Sequence, residues 1–199
     1  VLIVGVGGLG SPVALYLTGA GVGTIGLIDD DVVSVSNLQR QVLYSEAEVG
    51  MPKAIQAKKR LEALNHDVQI NAYPTRLTKE NADEIIRTYD IIIDGCDNFA
   101  TRYLINDICV KWGKVYVYGA IRAFEGQVSV SDYRHFFPDE TEMLSMPHPP
   151  KGVLGVTPGI IGCAEAAEVL KIIGEYGEVL SGKLWTINVK TMETHLISF

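Results

Sequence analysis

The sequence predicts an α/β fold, a mostly parallel sheet finished by antiparallel C-terminal strands. Up to Tyr118, short apolar runs alternate with helix-spaced segments, the rhythm of parallel strands joined by right-handed helical crossovers. A Gly5-Val-Gly-Gly-Leu-Gly10 turn links the first run to the first helix, as in Rossmann-like sheets. Beyond Gly119 the pattern becomes polar–apolar alternation, which suits half-exposed antiparallel strands.

Taken in order, residues 1–4 are a continuous apolar run ending in glycines, the signature of a strand buried on both faces. Residues 9–20 carry apolar positions at helical spacing, with Pro12 in the first turn and Gly21 as the stop. Residues 24–28 form the second strand. Pro52 opens a Lys-rich amphipathic helix over residues 52–64, and residues 68–73 form the third strand. A helix over 79–88 leads to the buried strand Ile91-Ile-Ile-Asp94, and a helix over 99–112 leads to a strand over 115–118. Gln127-Val-Ser-Val-Ser131 alternates as a half-exposed strand does. Residues 132–152 are Pro-rich and are expected to be an irregular crossover loop, long enough to be functional. Residues 157–173 form a helix begun at Thr157-Pro158, and residues 183–198 a closing hairpin around Thr191-Met192.

With 199 residues, 47% hydrophobic and 21% charged, the chain suits one well-buried soluble domain over 1–199. No apolar run reaches the roughly 20 residues that span a bilayer, and no signal peptide is visible. A formal net charge of −7 argues against a broad nucleic-acid footprint but leaves room for a local basic pocket. Cys96, Cys109 and Cys163 are an odd, widely spaced set, so a reducing cytoplasm is expected rather than a disulfide framework. The chain opens without Met inside an apolar run and is expected to be cut at a strand, with natural sequence before it.

The chemistry is concentrated at predicted strand ends. In the glycine turn, backbone amides approach phosphate oxygens at the positive end of a helix. Asp29, at the end of the second strand, is placed to accept from ribose hydroxyls. The cluster from Asp29 to Arg40, followed by Gln41, separates hydride transfer from phosphate chemistry. A dehydrogenase leaves the pyrophosphate to glycines and a helix end, whereas ATP cleavage needs cations against the developing charge. Arg40 offers a planar fork for phosphate oxygens and Lys53 a point charge. Asp97 follows the fourth strand and suits Mg²⁺, which takes one or two carboxylates plus phosphate oxygens. Plainer alternatives stand beside these. The glycine turn can serve packing alone, Lys53 can belong to a solvated face with Lys58, Lys59 and Arg60, and Asp97-Asn98 can simply cap the next helix.

Four motifs in order make the pattern specific: the glycine turn; Asp29-x-Asp31-x-Val-x-x-Ser36-Asn-Leu-Gln-Arg-Gln41; Val49-Gly-Met-Pro-Lys53; and Cys96-Asp-Asn98. With Ile121-Arg-x-x-Glu-Gly-Gln127 and Gly152-Val-Leu-Gly-Val-Thr-Pro-Gly-Ile-Ile-Gly162, the chain resembles the ThiF/MoeB/HesA family of ubiquitin-activating-enzyme-like adenylyltransferases over nearly its whole length. The resemblance implies an enzyme that uses ATP and Mg²⁺ to adenylate the C-terminal glycine of a ubiquitin-fold sulfur carrier, in molybdopterin or thiamin synthesis. It implies roles for Gly7, Gly8 and Gly10 in the ATP turn and for Asp29 at the ribose. Asn37, Arg40, Gln41 and Lys53 match phosphate-side residues, and Asp97 the magnesium and catalytic aspartate. The carrier's flexible Gly-Gly tail needs a narrow channel, for which residues 119–127 and the following loop are the expected wall. The resemblance also implies a homodimer, in which a preceding segment supplies an arginine to the partner's ATP.

Some positions depart from the family. Zinc-bearing members place a Cys-x-x-Cys in the crossover, where this chain has Asp132 and His135, and Phe199 ends the chain before a second pair. Zinc is therefore not expected. The sulfur-transfer cysteine would fall at His148, and Cys163 and Cys96 suit packing better than chemistry. Adenylation is expected here and sulfur transfer elsewhere. Three alternatives remain: a relative that adenylates tRNA or a peptide, a degenerate carrier-binding module, and, more distantly, a NAD-dependent oxidoreductase.

Overall fold

A computed structural model describes residues 1–145 and 152–199. The early apolar runs form β1 (Leu2–Val4), β2 (Thr24–Ile28), β3 (Gln69–Tyr73), β4 (Ile91–Asp94) and β5 (Val115–Arg122). Between them lie α1 (Gly10–Gly19), α2 (Lys53–Leu64), α3 (Ala82–Ile86) and α4 (Phe99–Trp112). The remaining elements are β6 (Glu125–Val130), α5 (Glu140–Ser145), α6 (Val156–Gly174), β7 (Lys183–Asn188) and β8 (Glu193–Ser198). All eight strands join one sheet in the order β3-β2-β1-β4-β5-β6-β7-β8. β1 to β5 pair in parallel, and β6 to β8 continue the sheet antiparallel.

Alternate residues of the central strands feed two cores. Ile3, Ile93 and Val117 pack with α1, α2 and α6 residues such as Leu17, Leu61 and Val169. Leu2, Val4, Ile92, Tyr116 and Tyr118 pack on the opposite face with Ile86, Tyr103 and Tyr133. Burial on both faces explains why the strands read as unbroken apolar runs. The strand order reverses between β1 and β4, so their carboxyl ends splay and open a crevice where ligands bind in such sheets.

Two expectations change. The 79–88 helix shortens to Ala82–Ile86. Residues 132–145 of the crossover are ordered rather than irregular, with a 3-10 turn at Tyr133–His135 and then α5. Their aromatic content explains the turn at Tyr133–His135. Tyr133 is fully buried, with its ring 5.1 Å from both Tyr103 and Tyr118 and 4.9 Å from Phe137. Asp139 explains α5, since its Oδ1 accepts from the Glu142 amide at 2.9 Å and so starts the helix. Arg134 fastens the segment to α4 through Asp107 at 2.7 Å and to Glu140 at 2.9 Å. The β5–β6 strands also extend further than expected, with Arg122 pairing with Glu125.

Gly10 is set by close packing. A Cβ there would lie 2.0 Å from the Gly5 carbonyl oxygen, a backbone atom with no room to retreat. Gly7 is different, because its nearest neighbour would be Gln41 Nε2 at 3.4 Å, an ordinary contact. Gly10→Ala is therefore expected to cost about 3 kcal/mol or more in chemical denaturation, and Gly7→Ala less than about 1 kcal/mol. Equal losses from the two would contradict this packing.

Candidate active site

The crevice holds a cleft of about 1540 Å³. Gly7, Gly8, Asp29, Asn37, Arg40, Gln41, Lys53 and Asp97, distant in sequence, all line it. Gly10 is set back from it, buried as the first residue of α1. The cleft continues along Ile121, Arg122, Glu125, Gly126 and Gln127, and Phe137 and Met143 of the crossover border it as well.

Backbone geometry builds the phosphate end. Gly5 adopts φ +89°, which turns the chain sharply out of β1. Ser11 Oγ and its amide both bond the Gly7 carbonyl, which fixes the turn onto α1. Tyr44 holds the turn from outside, its hydroxyl donating to the Val6 carbonyl at 2.8 Å. Asp29 accepts from the Val6 amide at 2.8 Å and from the Asp31 amide at 2.9 Å. Burial pushes the Asp29 pKa up, while the two amides and the Lys53 charge pull against it.

The cations differ in their support. Lys53 is only 3% exposed, so it leaves the solvated Lys-rich face and carries its ammonium to Asp31 at 2.8 Å. Its neighbours Lys58 and Arg60 pair on the surface with Glu62 and Glu48. Arg40 is half-buried, with one guanidinium nitrogen donating to the Ser36 carbonyl at 3.1 Å. Gln41 is 4% exposed, and its amide oxygen has no partner among the described residues. A buried amide left unsatisfied beside the glycine turn fits a polar ligand group better than a closed core.

Asp97 is exposed at the end of β4, and Asn98 rather than Asp97 caps α4, its side chain accepting from the Thr101 amide at 2.9 Å. Two neighbouring residues escaped the sequence reading. Asp94 is fully buried, accepting from Arg102 Nε at 3.1 Å, the Tyr116 hydroxyl at 2.7 Å and the Cys96 amide at 3.0 Å. Burial is the largest influence and opposes the Arg102 charge, but Asp94, with Tyr118, Cys96 and Tyr116 acting the same way, raises the guanidinium well above its ordinary value. An acid closing a fully apolar strand was the available signal, because a buried carboxylate needs a partner.

At the crossover, Asp132 caps the Tyr133–His135 turn by accepting from the Arg134 amide at 2.9 Å, and His135 is exposed. Among the described residues no group of three or more His, Cys, Asp or Glu is placed to hold a metal. One carboxylate spent on a cap and one surface imidazole do not fit a structural zinc centre. His148 lies outside the described residues. Among the described residues no helix is long and apolar enough to cross a membrane.

Known proteins resemble this chain in sequence and fold. The chain is 49% identical over 196 residues to the sulfur carrier protein adenylyltransferase of Thermus thermophilus, covering 92% of this chain and 72% of that protein. It is 46% identical over 200 residues to a probable molybdopterin-synthase adenylyltransferase of Porphyra purpurea, covering 96% of this chain and 52% of that one. The chain thus spans about half the length of the Porphyra relative. Among solved structures, a crystal structure of E. coli MccB with ATP superposes with a TM-score of 0.86 at 26% identity, covering 99% of this chain and 62% of that one. Residues 1–198 match the ThiF family, and with these likenesses along almost its whole length the chain belongs to that family.

Proposed function

We propose that this chain is the adenylation domain of an ATP-dependent adenylyltransferase that activates the C-terminal glycine of a ubiquitin-fold sulfur carrier. What carries this is the meeting of Arg40, Lys53 and Asp97 around one glycine turn, in a cleft that runs on beneath the β5–β6 strands. The named adenylyltransferase relatives support it. The carrier's terminal carboxylate attacks the α-phosphorus of ATP, an acyl-phosphate bond forms, and pyrophosphate leaves. No protein nucleophile is needed. The glycine-turn amides, Arg40 and Lys53 hold the phosphates and stabilise the charge that builds on them, while Asp29 orients the ribose. Asp97 would hold Mg²⁺, which supplies neutralisation of phosphate charge when bound. The Ile121–Gln127 stretch would wall the carrier's Gly-Gly tail, and a second copy of the chain would complete a homodimer.

Thiol chemistry points the sulfur step away from this chain. Burial, and Asp94 beside it, push the Cys96 thiol well above its usual value, burial takes Cys109 to about 12, and burial also raises Cys163. None of the three is an activated thiolate.

The test is pyrophosphate–ATP exchange by the full-length protein with a Gly-Gly-ended ubiquitin-fold carrier and Mg²⁺. Carrier-dependent exchange is expected, with none on deleting the terminal Gly-Gly. Exchange supported by tRNA or a short peptide instead would transfer the activity to those substrates. Carrier binding without exchange at saturating ATP would make the chain a docking module.

A further inference from the structure

We propose that Arg102 is a positioning residue that aims the Asp97 carboxylate by locking the peptide groups on either side of Cys96. This rests on the adenylation chemistry proposed above and adds a residue to it.

Arg102 lies on α4, one turn beyond Asn98, and is 8% exposed. Its Nε donates to Asp94 Oδ2 at 3.1 Å, and its Nη2 donates to the Cys96 carbonyl at 3.1 Å and the Gly119 carbonyl at 3.4 Å. Asp94 Oδ1 in turn accepts from the Cys96 amide at 3.0 Å. The Asp94–Arg102 pair therefore holds both the N–H and the C=O of residue 96. On the other side, the Asn98 cap fixes the start of α4. Asp97 is the single residue between these two anchors; it is exposed and lines the cleft.

One guanidinium thus ties the end of β4, the Asp97 loop and β5 together. A planar fork can do this and a point charge cannot. Its rear packs near the Tyr118 ring, 5.5 Å from the centroid, and the Phe99 ring, 6.0 Å away. Stability is a weak reason for such an arrangement, since a buried ion pair is often no better than an apolar pair of equal volume. Phosphate binding fits less well too, because Nε and Nη2 are already committed to protein acceptors.

The test compares wild-type full-length protein with Arg102→Lys and with the neutral, hydrogen-bonding double variant Asp94→Asn/Arg102→Gln. The double variant keeps the question open to refutation if a lone lysine unfolds the protein. In pyrophosphate–ATP exchange, either variant is expected to lose about 100-fold in kcat with KM for ATP changed less than about threefold. The Mg²⁺ concentration for half-maximal exchange is expected to rise about tenfold. Placed in an Asp97→Asn background, Arg102→Lys is expected to cost less than about twofold more, because it acts through the residue already removed. A folded variant with wild-type kcat, a loss carried wholly by KM, or full additivity with Asp97→Asn would overturn the proposal. Hydrogen–deuterium exchange supplies a readout independent of turnover: the Cys96 amide, which donates to Asp94 Oδ1, is expected to exchange at least about tenfold faster in the variants. Unchanged protection there overturns the positioning role even if the wild type proves to have no exchange activity, which by itself would count only against the adenylation assignment.

Discussion

Asp97→Ala is expected to lower carrier-dependent pyrophosphate–ATP exchange on the order of 10³-fold while leaving ATP binding within about fivefold. The asymmetry follows from where the supports lie. In the proposed reading the glycine turn, Asp29, Arg40 and Lys53 would grip ATP from the β1–β2 side of the cleft, and Asp97 touches none of these in forming their local bonds. It stands across the crevice on the β4 side, exposed and held only by its backbone neighbours. Its contribution is felt when charge shifts along the phosphates, so its loss falls on kcat. Arg40→Ala is expected to abolish exchange as well, but with a raised KM, because its fork meets phosphate in the ground state too. The fold is expected to survive Asp97→Ala, since Asn98 rather than Asp97 caps α4. Exchange kinetics with ATP binding measured separately by calorimetry check both variants. Loss of ATP binding in Asp97→Ala, with kcat intact, would remove Asp97 from the reacting end.

Local patterns that determine local structure were legible in the sequence. Unbroken runs such as Ile91-Ile-Ile-Asp94 read as two-sided strands because both faces are in fact buried. The glycine turn and the acid after β2 read as a nucleotide end because strand–turn–helix geometry follows from neighbours in the chain. Lys53 was ambiguous for a physical reason: helical spacing puts it with Lys58 and Arg60 or away from them, and only the tertiary placement of Asp31 decides. Residues 132–145 were misjudged because proline signalled a loop while the decisive contacts, Tyr133 on Tyr103 and Tyr118, are long-range. The Asp94–Arg102 pair was missed in the same way. Each residue had a bland local explanation, and only the approach of β4, α4 and β5 makes them one cluster.

Glu165→Gln is expected to stabilise the protein, and by an amount that grows as pH rises. Glu165 sits on α6, fully buried, with its carboxyl pressed on β5 so closely that a Cβ on Gly119 would lie 2.4 Å from Glu165 Cδ. Neither carboxyl oxygen has a hydrogen-bond partner among the described residues. Burial raises its pKa well above the ordinary 4.5, Asp94 raises it further, and Arg102 opposes both. No hydrogen bond joins Arg102 to Glu165, since Nε and Nη2 go to Asp94 and to the Cys96 and Gly119 carbonyls. The folded state therefore holds the Glu165 proton to higher pH than the unfolded chain does. Below the unfolded value of 4.5, both states carry the proton and the residue costs nothing in ionisation. Above it the unfolded chain releases the proton and the folded one retains it, so stability falls by up to about 1.4 kcal/mol per pH unit until the folded-state value is passed. Glutamine has the same shape and no proton to lose, so this slope should vanish in the variant. Denaturant unfolding of both proteins from pH 4 to pH 8 checks it: the two stabilities should lie close together at the acid end and diverge as pH rises above 4.5, until the folded-state value is passed. Parallel curves would mean that Glu165 ionises in place, that Arg102 divides its charge between two acids, and that its hold on the Asp97 loop is weaker than its bonds to Asp94 and Cys96 imply.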